Sequence, residues 1–592
     1  MKEFMKMTLA VIVGSVILSI FSGIMYMMMI VSLMMSGNSS TAVVLDNSVL
    51  HVKLIGTLDE RSSEEMPFAS LMGNDVIESL SLEDLKLALL EAAQNDDVKG
   101  VYLEAGVLGS DFASLQEARK ALLDFKKSGK FIVAYGDQYS QSAYYLASVA
   151  DRVLLNPDGM IDWHGLASQP IFYKDLLEKI GVKYQVFKVG TYKSAVEPFI
   201  LTGMSDANRE QVTSFINDIW GVMLKDVAQS RKLTTDTLNA YADRYVLFEE
   251  PKQYVAQHLA DSLCYIDGTR DVLRQKAGGK KINLISTSDL ASLYKPSTKG
   301  DKVAVYYACG NIVDEVASTS FTEGDQIVGS KVVEDLDELM NDDEVKAVVL
   351  RINSGGGSAY ASEQMWRAIQ LLKKKKPVVV SMSGMAASGG YYMSCGADYI
   401  FADATTITGS IGIFGLMPEA STLLTQKLGL HFDVVKTNEA ADFGGTMAER
   451  PFNEKESAAM QAYVERGYQL FISRVAAGRK MTTAQVDSIG QGRVWTGQQA
   501  LGIHLVDKIG TLEDAIAYAA SRAKLSSHQT VVFPAKAAWY ENFLDDVKED
   551  TYMSRDMKLL LGDSYQPLLT LWQMKQNRTC LQARMPFELN IK

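Results

Sequence analysis

Ser388 and Lys193 are the two side chains best placed to exchange a proton and attack a carbonyl, and their surroundings say why. Ser388 lies in Met385-Ala-Ala-Ser388-Gly-Gly-Tyr-Tyr, between small residues at the expected mouth of a helix. There a hydroxyl is accessible and neighbouring amides are free to hold a developing oxyanion. Such a serine needs a base. Histidine is the usual one, but the six histidines stand at 51, 164, 258, 431, 504 and 528, none of them in the Gly-rich segments around Ser388. A Ser-His-Asp triad is therefore disfavoured, and His431 reads as a surface or satisfied core residue. Lys193, in Phe187-Lys-Val-Gly-Thr-Tyr-Lys193-Ser-Ala-Val-Glu-Pro-Phe, is the other option. To act as a base its pKa must fall from ~10.4 toward ~7–8, which desolvation against apolar walls achieves at on the order of 4 kcal/mol of disfavoured charge.

Taken singly, a lysine in a turn is more often solvated than catalytic, and Ser-Gly-Gly is more often only a turn. An internal repeat changes that weighting. Ala143-Tyr-Tyr-Leu-Ala-Ser-Val-Ala-Asp151 matches Gly390-Tyr-Tyr-Met-Ser-Cys-Gly-Ala-Asp398, with Tyr144 and Tyr391 standing 247 positions apart. Val98 and Val345 keep the same spacing, and 177–188 parallels 425–436 one residue out of register. A period this long means two domain-sized copies in tandem rather than a solenoid. At the offset of Ser388 the first copy has Gln141, and at 248 beyond Lys193 the second copy has Ala441. Each copy keeps what the other lacks, which points to a chemistry divided between them.

Three Gly-rich turns cluster in the second copy, each read as following an apolar strand: Asn353-Ser-Gly355-Gly-Gly357-Ser, Ala387-Ser388-Gly389-Gly and Thr408-Gly-Ser410-Ile-Gly. Glycines let backbone N–H groups face a cavity, which suits phosphate or an oxyanion. Walker spacing and a dinucleotide fingerprint are both missing, so the oxyanion is the better reading.

These residues need a scaffold. Short β-branched runs at 303–307, 347–352, 378–381 and 399–401 alternate with a helical stretch at 362–376, and the first copy repeats the rhythm at 101–104, 131–135 and 152–155. That rhythm predicts an α/β fold of mostly parallel strands. Long amphipathic helices are expected over 208–232 and 454–480, the first with an apolar stripe of Phe215, Ile216, Trp220 and Leu224 that reads as core or a partner-facing ridge. The expected organisation is a tip and anchor at 1–45, a first half at 46–297 supplying the lysine, a polar junction around 286–302, a second half at 298–537 supplying the serine, and an extension at 538–592 for packing or oligomer contacts. Within that extension, 567–572 reads as helical and 587–591 as strand-like.

Charged residues make up 22% of the chain and apolar ones 47%, an ordinary globular balance. The net charge of −12 lacks the basic footprint that a nucleic-acid partner needs. Residues 7–45 carry no charged side chain, and 7–35 is longer than the ~20 residues of a membrane-spanning helix. Lys2 and Lys6 precede it and Asp46, Asp59 and Glu60 follow, so the positive-inside bias predicts a transmembrane helix with the bulk of the chain outside the cytoplasm. A cleaved leader would be shorter and end in a small-residue site, which Ser36-Gly-Asn-Ser-Ser does not provide. The four cysteines are too scattered for a disulfide framework or a metal site and read as buried thiols. No metal or cofactor is expected.

The strings Val189-Gly-Thr-Tyr-Lys193-Ser-Ala-Val-Glu-Pro-Phe, Met385-Ala-Ala-Ser388-Gly-Gly-Tyr, Thr408-Gly-Ser-Ile-Gly-Ile-Phe-Gly415 and Gly492-Arg-Val-Trp-Thr-Gly-Gln498 closely resemble the signal peptide peptidase A family of the long, duplicated type. The resemblance runs from the apolar start to Pro586-Phe-Glu-Leu-Asn-Ile. It implies two tandem ClpP/crotonase-like domains, a Ser-Lys dyad protease in the inner membrane with its catalytic domains on the periplasmic side, and a homotetramer that degrades remnant signal peptides. It further implies Ser388 as nucleophile, Lys193 as general base, Ser410 orienting the lysine, and the Gly357 and Gly389 N–H groups as oxyanion hole. One departure stands out: Gly355 replaces the proline common in that turn, which loosens the placement of Gly357. The competing expectations are a membrane-tethered crotonase-like scaffold with a vestigial serine, and acyl-CoA chemistry, which the extracytoplasmic placement disfavours.

Overall fold

The computed structural model describes residues 14, 18, 21, 22, 25, 43–61, 79–315, 326–443, 450–535 and 582–584. The segment 7–45 expected to span a membrane lies almost wholly outside these residues; Gly14, Leu18, Phe21, Ser22 and Met25 are helical. Among the described residues no helix is long and apolar enough to cross a membrane. The stretches 567–572 and 587–591 also lie outside the described residues.

Strands buried on both faces must be apolar throughout, and the run Ala347 to Leu350 is fully buried within strand Val345–Ser354. The first half builds a parallel sheet in the order 79–81, 48–59, 98–109, 131–139, 152–161, 262–263, with 283–286 also pairing 48–59. The second half builds its counterpart in the order 494–496, 407–409, 378–387, 345–354, 301–309, 528–533, parallel except where 407–409 meets 494–496. The expected long helices run Asp206–Arg231 and Glu454–Arg479.

The repeat extends to side-chain bonds. Asp151 accepts from the Ile132 N–H as Asp398 does from Val378. Tyr144 donates to the Leu259 carbonyl and Tyr391 to that of Leu505, each at 2.9 Å. Arg231–Asp261 and Arg479–Asp507 are equivalent ion pairs.

A third, mixed sheet joins the halves, in the order 326–328, 311–313, 356–358, 582–584, 413–419, 183–189. Its last strand belongs to the first half. Phe187 accordingly packs in the second half's core, while Ala387, Ile407 and Val494 pack in that of the first.

Four expectations are corrected. The junction is shorter than its composition suggests: Ser286 caps helix Thr287–Leu293, which buries Leu290, leaving 294–300 as connection. The parallel between 177–188 and 425–436 does not hold as structure, because 183–189 is a strand whereas 428–443 has none. The first-half stretch that would have to pair with it, 166–172, is not a strand and carries Pro170, which cannot donate to a ladder. The thiols are not uniformly buried: Cys395 is, Cys264 and Cys309 are partly exposed near strand ends, and Cys580 lies outside the described residues. Finally, 356–358 of the first Gly-rich turn is itself a short strand.

Candidate active site

Strand Val378–Ala387 ends one residue before helix Gly389–Ser394, and Ser388 makes the whole turn. Its φ of 54° and ψ of −111° are strained for a residue with a Cβ, a conformation worth about 1–3 kcal/mol that only a well-packed site sustains. The Ser388 N–H donates to the Gly409 carbonyl at 2.8 Å, fixing the turn against the neighbouring strand.

Lysine is delivered from the other half by strand pairing. Strand 183–189 runs antiparallel to 413–419 with Val189 opposite Ile413, so the chain leaving Val189 reaches Lys193 beside the segment that follows Ser410. Lys193 Nζ lies 2.8 Å from Ser388 Oγ, 3.0 Å from Ser410 Oγ and 3.1 Å from the Ser410 carbonyl. Lys193 and both serines are 0% exposed. Burial holds the Lys193 amine well below the ordinary lysine range, and among the described residues no carboxylate opposes it. The Phe414 ring, 6.0 Å from Nζ, forms part of the apolar wall. Gly492 lies where any Cβ would press on the Lys193 backbone and Cβ, so only glycine lets the two segments approach this closely.

On the other side of Ser388, Gly390 abuts the Ser354 carbonyl, bringing the 354–357 turn next to the start of the serine's helix. Gly357 pairs with Ile312, where a Cβ would collide with that residue's carbonyl. The turn does without proline through two side chains that sequence reasoning missed. Ser354 Oγ donates to the Gly310 carbonyl at 2.7 Å and accepts from the Gly356 N–H at 3.1 Å. Asn353 Oδ1 accepts from the Met385 N–H at 3.0 Å, tying the turn to the serine's strand. Both polar residues sit in the quoted Gly-rich string, but nothing in a string tells which carbonyl a hydroxyl will meet.

Between 356–358 and 413–419 lies the chain's own strand Gln582–Arg584, antiparallel to both, with Ala583 opposite Gly357 and Gln582 opposite Phe414. An extended backbone therefore fits in the slot beside the two serines.

The first half's equivalent position is filled. Gln141 Nε2 donates to the Gly165 carbonyl, and its Oε1 accepts from the His164 and Gly165 N–H groups, each at 3.0 Å. Trp163, at the repeat offset of Ser410, is buried and donates to the Leu238 carbonyl. Ala441 lies in an exposed turn.

A charged cluster braces the serine's strand from behind. Arg351, fully buried, pairs with Glu60 at 2.7 Å and Glu117 at 2.8 Å from the first half, and donates to Ser381 and Ser383 of strand 378–387. The signal for it was one arginine inside an apolar strand.

Comparison with known proteins follows the same division. The model of peptidase family S49 matches twice, at residues 124–280 and 370–526, once in each half. The chain belongs to peptidase family S49. It is 35% identical to Protease 4 of Salmonella typhi over 90% of this chain and 87% of that one, and 35% identical to Protease 4 of Haemophilus influenzae over 83% and 82%. It is also 32% identical to the chloroplastic serine protease SPPA of Arabidopsis thaliana over 76% of this chain and 67% of that one. This S49 protein is a serine protease of the long type, with two tandem S49 domains. A CoA-ligase model also matches residues 314–408, within the second half. A solved ClpP1 variant from Listeria monocytogenes superposes with a TM-score of 0.23 at 14% identity, covering 36% of this chain and 94% of that one, too little to bear on the fold.

Proposed function

We propose that this S49 protease is a Ser-Lys endopeptidase whose nucleophile is Ser388 and whose general base is Lys193. The observation that carries this reading is the buried, uncharged-favouring amine 2.8 Å from a strained serine hydroxyl. Lys193 takes the Ser388 proton as Oγ attacks the peptide carbonyl, and the resulting ammonium gives that proton to the leaving amine. Water then attacks the acyl-enzyme with Lys193 again as base. The Gly357 and Gly389 N–H groups stabilise the oxyanion, and Ser410 keeps the amine aimed at Ser388.

The substrate is an extended peptide lying between 356–358 and 413–419, small and apolar before the cut, a reading supported by the strand 582–584 in that slot. The wider reading rests on the resemblance and the uncharged start: ClpP/crotonase-like halves at 46–297 and 298–537, an anchor within 1–45, an extension at 538–592, a homotetramer on the periplasmic side of the inner membrane, and remnant signal peptides as substrates.

Labelling with a serine-directed fluorophosphonate tests the site. Modification of Ser388 that fails in Lys193→Ala is expected. An unlabelled parent that cleaves no peptide points instead to the scaffold with a vestigial serine.

A further inference from the structure

The string Gly492-Arg-Val-Trp-Thr-Gly-Gln498 has no part in the chemistry above, yet it touches both Ser410 and Lys193. The Ser410 N–H donates to the Arg493 carbonyl at 2.7 Å and the Gly492 N–H to that of Ile411 at 2.8 Å, so 492–493 holds Ser410 in place. On its other side the Tyr192 N–H donates to the Gln491 carbonyl at 2.9 Å, and Gly492 packs against Lys193.

One side chain fastens these segments together. Gln211, on helix Asp206–Arg231, is 0% exposed. Its Nε2 lies 3.1 Å from the Tyr192 carbonyl and 3.2 Å from Ser194 Oγ, the residues flanking Lys193, while its Oε1 accepts from the Val494 N–H at 3.1 Å. A carbonyl on one side and an N–H on the other leave one amide orientation that satisfies both. The amide is itself held: Nε2 lies 3.1 Å from Asn208 Oδ1, and Asn208 donates to the buried Glu197 at 2.9 Å. One and two turns further along the same helix face, Ser214 accepts from Gln499 at 3.1 Å and Asp218 accepts from Thr496. The helix is thus a splint along 494–499, and Gln211 is where the splint meets the lysine loop.

We propose that Gln211 is a positioning residue for Lys193, its amide setting the lysine loop of one half in register with the 492–494 segment of the other half, which holds Ser410. It touches no reacting atom. Its effect is to keep the amine within reach of both hydroxyls and away from water, a matter of sub-ångström placement to which proton transfer is sensitive. The inference rests on the Ser388–Lys193 reading.

The test is Gln211→Met, similar in length and without hydrogen bonds, beside Gln211→Glu, which keeps the acceptor for Val494 and loses the donors. Steady-state cleavage of a chromogenic peptide is followed against pH on the monodisperse fraction. Expected are a kcat at least tenfold lower, a KM within twofold of the parent, and an acid limb moved to higher pH, because a loosened amine is better solvated and easier to protonate. A kcat within twofold and an unmoved acid limb overturn the inference, as does a lower melting temperature with no change in the pH profile. Should neither variant fold, Ser194→Ala, which removes a single partner of the amide, is expected to lower kcat two- to fourfold with the same pH shift, and no shift overturns the proposal. Lys193→Ala in the same assay separates the two levels: turnover there sinks the dyad, whereas a dead Lys193→Ala beside a parent-like Gln211→Met sinks only the role of Gln211.

Discussion

Lys193 and Ser388 are 195 residues apart in the chain and 2.8 Å apart in the fold, one from each copy of the repeat. Neither half contains the pair. Either half expressed alone is therefore expected to lack peptidase activity, and mixing the two to restore it only if strand 183–189 pairs with 413–419. Ser388→Ala and Ser388→Gly should both lower turnover on the order of 10⁴-fold or more. Thermal unfolding should separate them, with the glycine variant the more stable by about 1 kcal/mol because φ 54° is easy for glycine.

Acid should silence the enzyme by protonating Lys193. The amine's folded pKa lies below its ordinary 10.5, so between those two values the unfolded chain binds the extra proton and stability rises with pH. Lys193→Met is accordingly expected to be inactive yet to melt higher than the parent at neutral pH, with the gap closing as pH approaches 10.5. A variant that melts lower at neutral pH would contradict the buried neutral amine.

Ser354 stands in for the missing proline. Ser354→Ala frees the Gly356 N–H and the Gly310 carbonyl from their shared hydroxyl, so the turn carrying Gly357 should wander. In the proposed mechanism kcat falls roughly tenfold with KM little changed, since a misplaced donor weakens the transition state more than the ground state. An equal loss in both parameters would place the residue in substrate binding instead.

Arg351→Met should be costly for the fold, because it strips the guanidinium from the nearly buried Glu60 and leaves the buried Glu117 with Lys86 alone, about 3–5 kcal/mol for a broken buried pair. Burial alone would raise the Glu117 carboxyl, and Arg351 and Lys86 outweigh it to hold the pKa below 4.5. Their contribution is present above that value and fades as pH falls. Denaturant titrations should thus show the largest gap between parent and variant at neutral pH and a narrower one in acid.

The strand 582–584 lies between 356–358 and 413–419, in the slot proposed for the peptide. A chain ending at residue 581 should bind peptide with a lower KM at unchanged kcat. An unchanged KM would mean that peptides enter elsewhere.

Local sequence fixed the elements and the candidate pair. Parallel strands buried on both faces leave continuous apolar runs, the long helices leave a 3.6-residue stripe, and duplication leaves a constant offset, so strands such as 345–354 and helices such as 454–479 were legible within a few residues. Reciprocal loss of Ser388 and Lys193 between copies was legible for the same reason. Tertiary structure alone decided that strand 183–189 leaves its own half, that Gln141 and Trp163 plug the first half's site, and that Asn353, Ser354, Gln211 and Arg351 brace the second. Those relationships depend on which polar group a side chain meets across more than a hundred residues of chain. Periodicity records how a segment faces its own core, whereas such a meeting is set only when two cores pack together.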